Sequence, residues 1–230
     1  MNNGNRPEKT THRILPIVCA TALVVAFTFT VAWSQPTHAN VTPPPVPDEI
    51  KVEAGNTGFL VGHAVGTQNY ICLPCPNPTT PAAMCPDTSG FAWLLFTPEA
   101  TLFTDNEKQL TTHFFSPNPA ENGTIRATWE HSRDSSIVWG GRAIASTDAR
   151  FVAKDAVAWL LLPAAGAQEG PKGGDTLTET TFIHRLNTEG GVAPATGCTS
   201  LTDVGKKAFQ PYTADYFFYR RSHGQPNDGE

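Results

Sequence analysis

From residue 57 to residue 219 the chain alternates short β-prone runs with turn residues, and nowhere does an apolar spacing of three and four persist between two helix caps. That pattern restricts it to an all-β architecture. The clearest run follows Asn122-Gly123, a dipeptide suited to a tight turn because both residues tolerate positive φ. After it, Ile125, Ala127 and Trp129 point one way and Thr124, Arg126, Thr128 and Glu130 the other, which is a half-buried strand. Gly58 to Val65, Phe91 to Thr97 (closed by Pro98) and Leu110 to Phe115 (ended by Ser116-Pro117-Asn118-Pro119) read as further strands. So do Val157 to Ala165, Thr176 to Asn187 and the aromatic-rich Tyr212 to Tyr219, while Ser200 to Lys207 has room for a helical turn or two. The 20 prolines and 19 glycines supply the turns. The expected fold is a single-domain β-sandwich or small β-barrel with long loops.

The first 39 residues have a different character. Arg6, Lys9 and Arg13 precede an apolar run from Ile14 to Trp33, and Thr37-His38-Ala39 offers small residues at a cleavage site. This order is that of a secretory signal. The alternative is an N-terminal membrane anchor, which Pro16 and several threonines disfavour. The organisation read from these cues is a signal peptide at 1–39, a Pro-rich spacer at 40–49, a β domain at 50–220 and a disordered tail at 221–230. The expected location is periplasmic or extracellular, with no membrane contact once the signal is removed.

Four cysteines then remain: Cys72, Cys75, Cys85 and Cys198. In an oxidising compartment an even number suggests disulfides. Of the three possible pairings, Cys72–Cys198 with Cys75–Cys85 is favoured: the second closes a short proline-rich loop, and the first ties an early strand to a late one. Cys72-Leu73-Pro74-Cys75 is also a C-x-x-C, but a zinc ribbon needs a second such pair and a thioredoxin-like motif needs a helix start. Both contexts are missing.

Charge excludes one class of partner. The formal net charge is −5, and beyond residue 39 it becomes −7, with 13 basic residues against 20 acidic. No basic patch marks a nucleic-acid surface. The chain lacks G-x-S-x-G, H-E-x-x-H, an EF-hand loop and a phosphate-cradling glycine loop. No cofactor is evident.

The chain resembles an uncharacterised family of exported bacterial and fungal proteins, domain of unknown function 3455. The resemblance rests on Gly66-Thr67-Gln68-Asn69-Tyr70-Ile71-Cys72, Thr112-His113-Phe114-Phe115, Trp129-Glu130-His131-Ser132-Arg133-Asp134, Trp159-Leu160-Leu161-Leu162, Ile183-His184-Arg185-Leu186 and Tyr212-Thr213-Ala214-Asp215-Tyr216. It spans most of residues 57–219. It implies a shared domain with a Cys72–Cys198 bridge and no activity. Pro74 to Asp87 looks like an insertion.

Two readings of function follow. The first is a non-catalytic binding or structural module of the cell envelope or extracellular space. As a binding module it would take a small molecule, glycan or protein. Gln68 and Tyr70 share one strand face, Trp129 and His131 share another, and His113, Asp134, His184 and Arg185 lie in or beside strands; these are its candidate binding residues. Arg185 is expected to pair with Asp134 or Asp215. The second reading is a metal-dependent enzyme in which His63, His113, His131 and His184 converge on one ion.

Overall fold

In the computed structural model, residues 40–76, Cys85 and 90–222 are described, together with Met1. The signal segment, most of the Cys75–Cys85 loop and nearly all of the tail lie outside the described residues.

Nine antiparallel strands are present among the described residues: β1 (Asn56–Pro74), β2 (Phe91–Phe103), β3 (Gln109–Asn118), β4 (Thr124–His131), β5 (Ile137–Gly140), β6 (Ile144–Ser146), β7 (Trp159–Gln168), β8 (Phe182–Gly190) and β9 (Lys207–Arg221). The sheet runs β5-β4-β3-β2-β1-β9-β8-β7-β6, and β5 also pairs with β7. That last pairing closes eight strands into an up-and-down barrel, with β6 as an extra strand beside the first half of β7. Of the two architectures the sequence allows, it is therefore the barrel. Closure removes the unpaired edges that a sandwich of this size would expose.

Prolines are placed differently from the sequence expectation. Pro98 does not end β2, which continues to Phe103, and Pro117 lies inside β3. The reason is a gap in the wall. β2 pairs with β3 only from Ala100↔His113 to Phe103↔Gln109. Before Ala100 and beyond His113 the two strands separate, bridged by the Phe115 amide donating to Thr97 Oγ1 at 3.2 Å. Pro117 shares the orientation of Phe115, so its missing N–H falls on an edge with no partner, where proline is tolerated. The Asn122-Gly123 turn forms as read, with φ of 54° and 80°. In the Thr176 to Asn187 run, only the part from Phe182 is strand.

Two apolar layers result from the alternation along the strands. Inside the barrel, Phe59, Leu102, Leu177, Ile183 and Phe218 fill one end around Trp129 and Tyr216. Outside, Trp159, Leu161, Leu186, Phe217 and Tyr219 form a second cluster covered by Ile50, Val41, Val46 and Val152. The Pro-rich segment at 40–49 thus lies along the barrel: the Val41 amide bonds Gly58 O, Pro47 is buried, and Ile50, just after it, is fully buried.

Both disulfides form as favoured. Cys72–Cys198 joins β1 to the loop before β9, and Cys75–Cys85 closes the short loop after β1. The C-x-x-C cysteines are therefore bonded to other partners, which rules out a thioredoxin-like pair or a shared zinc site there.

Candidate functional site

The barrel interior is filled at one end and hollow at the other. Ala127 offers only a methyl group to the space, and Gly140 borders it with backbone alone because a Cβ there would meet Leu162 at 2.9 Å and Trp129 at 3.1 Å. A cavity of about 450 Å³ opens between β1, β2, β3, β4, β7, β8 and β9, a volume within the usual range for small-molecule sites. Its wall carries Gln68, Tyr70, His113, Trp129 and Arg185, five of the eight residues singled out from sequence. Phe115, Leu160, Leu162 and Tyr216 add apolar surface, and Arg126 and Arg142 also line it.

Each polar group on the wall has a definite state. His113 is 4% exposed, and its Nδ1–H donates to Thr128 O at 2.9 Å. Burial, partly offset by that bond, pushes its pKa down to about 3. The ring is neutral at ordinary pH, and Nε2 carries the lone pair. Trp129 stacks on it at 4.3 Å and 10°. Tyr70 OH donates to Gly191 O at 2.7 Å, and burial raises its pKa. The Tyr212 and Tyr216 hydroxyls meet at 3.3 Å, and burial raises both pKa values.

Two buried wall atoms have no partner. Trp129 Nε1 makes no hydrogen bond, and Gln68 Nε2, although its amide lies beside the Tyr212 hydroxyl, meets no acceptor at bonding geometry. Both residues are 1% exposed. Asn69 Oδ1, Thr111 Oγ1, Trp159 Nε1 and Thr180 Oγ1 are also unpartnered, but none of those residues lines the cavity.

Residues 53–220 match the family model described as Protein of unknown function (DUF3455). The chain belongs to this family. No curated protein and no solved structure matches it. The DUF3455 match covers the strands of the barrel, all but Arg221 at the end of β9, and every residue on the cavity wall.

The other sequence candidates of this DUF3455 chain lie elsewhere. His131 donates from Nδ1 to Asp134 at 2.8 Å, and Asp134 also accepts from the amides and hydroxyls of Ser136 and Thr176. Burial, the largest single influence, raises the Asp134 pKa, but the Thr176 and Ser136 bonds together outweigh it and hold the carboxyl below the usual range. Asp134 thus pins two loops together. His184 sits on the outer face, donating from Nε2 to Ile50 O at 2.6 Å and accepting from Tyr219 OH at Nδ1. His63 lies between Asp215 at 2.6 Å and Asp105 at 2.8 Å, and the Asp215 bond is the main reason its pKa is raised.

The expected convergence of His63, His113, His131 and His184 therefore fails. Strand alternation places His184 outside the barrel, whereas His113 points inside. Among the described residues no three His, Cys, Asp or Glu side chains are grouped to hold a metal. The expected Arg185 ion pair fails too, because Asp134 is saturated by loop hydrogen bonds and Asp215 binds His63 and Asn187. Tyr216 and Phe115 were missed as wall residues. Their parity with Ala214 and Phe218, and with His113, was the available signal.

Proposed function

We propose that this protein is a non-catalytic binding module that takes a small molecule into the open end of its barrel, outside the cytoplasm. The observation that carries the reading is the cavity itself: about 450 Å³ in a closed barrel, bounded by Phe115, Leu160 and Leu162 with Gln68, Tyr70 and Arg185 among them. The second apolar layer and two disulfides make the barrel a rigid frame, so the cavity needs little rearrangement to admit a ligand. Paired cysteines and an N-terminal segment with the order of a secretory signal support export. Among the described residues no helix is long and apolar enough to cross a membrane.

The test is titration of the oxidised protein with N-phenyl-1-naphthylamine, a neutral fluorophore that brightens in apolar surroundings. One site per chain is expected, together with quenching of tryptophan emission. Leu160→Trp, which fills the cavity, should abolish binding while the melting temperature stays near wild type. Absence of binding, or binding that Leu160→Trp leaves intact, would remove the basis for this reading.

A further inference from the structure

We infer that the ligand of this cavity is an organic carboxylate with an apolar body, held at its charged end by Arg185; this rests on the small-molecule reading above and narrows it to one chemical class. Arg185 is 9% exposed and projects from β8 into the cavity wall. Its Nε and Nη2 donate to Ala158 O at 3.2 and 2.9 Å, and the guanidinium also reaches the Tyr216 hydroxyl. It forms no ion pair with any described residue, and Asp134 and Asp215, the partners expected from sequence, are engaged with His131 and His63. A buried cation without a counter-ion is costly, and in folded proteins such charges are paired or coordinated. Here no acidic residue lines the cavity, while Arg126 and Arg142 do. This holds in a chain with a net charge of −5, so the cavity is a positive pocket in an acidic protein.

Of the wall groups, His113 Nε2 offers an acceptor and Arg185 offers donors and the charge. A guanidinium carries five N–H groups, more than Ala158 O and the Tyr216 hydroxyl take up, and the remainder ask for a ligand end made of acceptors. A carboxylate meets that need, because its two coplanar oxygens match the flat guanidinium. A phosphate monoester, with up to two charges, would call for a second free cation or a nest of backbone amides. Within the cavity Arg126 is already bound to Glu121 at 2.7 Å, and Arg142 is exposed to solvent. Phe115, Leu160, Leu162 and Trp129 then enclose the apolar remainder. Arg142 adds positive potential that draws anions in.

A matched pair of probes isolates the charge: 1-naphthaleneacetate and 1-naphthaleneacetamide, which share shape and size. Isothermal titration of the full oxidised protein at pH 7 should give the carboxylate an affinity at least about tenfold above the amide, the equivalent of one charge-assisted contact. In Arg185→Gln the preference should fall to about one, and in Arg185→Lys, which keeps the charge but loses the fork, it should fall partway. Arg142→Gln should lower carboxylate affinity by no more than a few-fold. Equal affinity of wild type for both probes overturns the anion assignment and leaves the cavity reading standing. Binding of neither probe overturns both. Preference for the carboxylate that survives in a folded Arg185→Gln protein removes Arg185 from the role.

Discussion

The Trp129 indole lies nearly parallel over the His113 imidazole, with ring centroids 4.3 Å apart and the planes inclined by 10°. Burial keeps the imidazole neutral, and the Arg185 charge adds repulsion against an imidazolium. Linkage gives the sign. The folded pKa, about 3, is below the unfolded 6.5, so the unfolded state binds the extra proton between those values. Stability from this group is complete above about pH 6.5 and is lost as pH falls toward 3. His113→Phe keeps a ring against Trp129 but cannot titrate. The urea-unfolding free energy of wild type should fall more steeply from pH 7 to pH 4 than that of His113→Phe. Parallel curves would show that the imidazole is not held neutral.

Asp134 is the acceptor for five donors from His131, Ser136 and Thr176. Asp134→Asn preserves the shape but turns two acceptor lone pairs into N–H groups that must face donors. Loss of about 2 kcal/mol is expected, because unsatisfied polar groups cost roughly 1–3 kcal/mol each and part of the cluster can reach water. The carboxyl titrates below its usual range, so this contribution is present above the unfolded pKa of about 3.9 and is lost as pH falls below it. Amide exchange at Thr176 and Ser136 should quicken in the variant, and unchanged protection would contradict the pinning role.

The two disulfides close loops of very different length, 126 and 10 residues apart in sequence. On the chain-entropy account, removing Cys72–Cys198 as a double alanine variant should cost about 5 kcal/mol, and removing Cys75–Cys85 about 3 kcal/mol. The ordering of melting temperatures is the check: wild type highest, then the Cys75–Cys85 knockout, then the Cys72–Cys198 knockout. A reversed order would place the stabilisation in local strain relief instead of long-range closure.

How much of this was legible beforehand depends on the range of the interaction. The β4 alternation, the Asn122-Gly123 turn and both disulfides could be read because periodicity, turn chemistry and cysteine parity are local or countable. Gln68, Tyr70, His113, Trp129 and Arg185 were singled out, yet their convergence was not, since it depends on barrel closure through the β5–β7 pairing across nearly thirty residues. The same long-range geometry scattered the histidines: one residue of offset sends His184 outward and Arg185 inward. Pro98 and Pro117 misled because a proline is read as a breaker unless one knows that its edge of the strand is unpaired.

Ile50, the residue that follows the Pro-rich segment, shows how that segment is fastened to the fold. Its side chain is fully buried against the outer cluster, and its carbonyl accepts the His184 Nε2–H at 2.6 Å. A free spacer would tolerate any substitution there. A strap would not: Ile50→Ala leaves a cavity beside Trp159 and Phe217 and should cost about 3 kcal/mol, within the usual range for a buried Ile truncation. Val65→Ala, at a position 59% exposed, serves as the control and should shift stability by less than about 0.5 kcal/mol. Cutting back to residue 53 would remove Val41, Val46, Ile50 and Val52 from the outer apolar cluster, and the shortened protein should self-associate in sedimentation at concentrations where the longer chain stays monomeric. If Ile50→Ala and Val65→Ala unfold at the same urea concentration, the segment contributes no stability and the outer layer is not a second core.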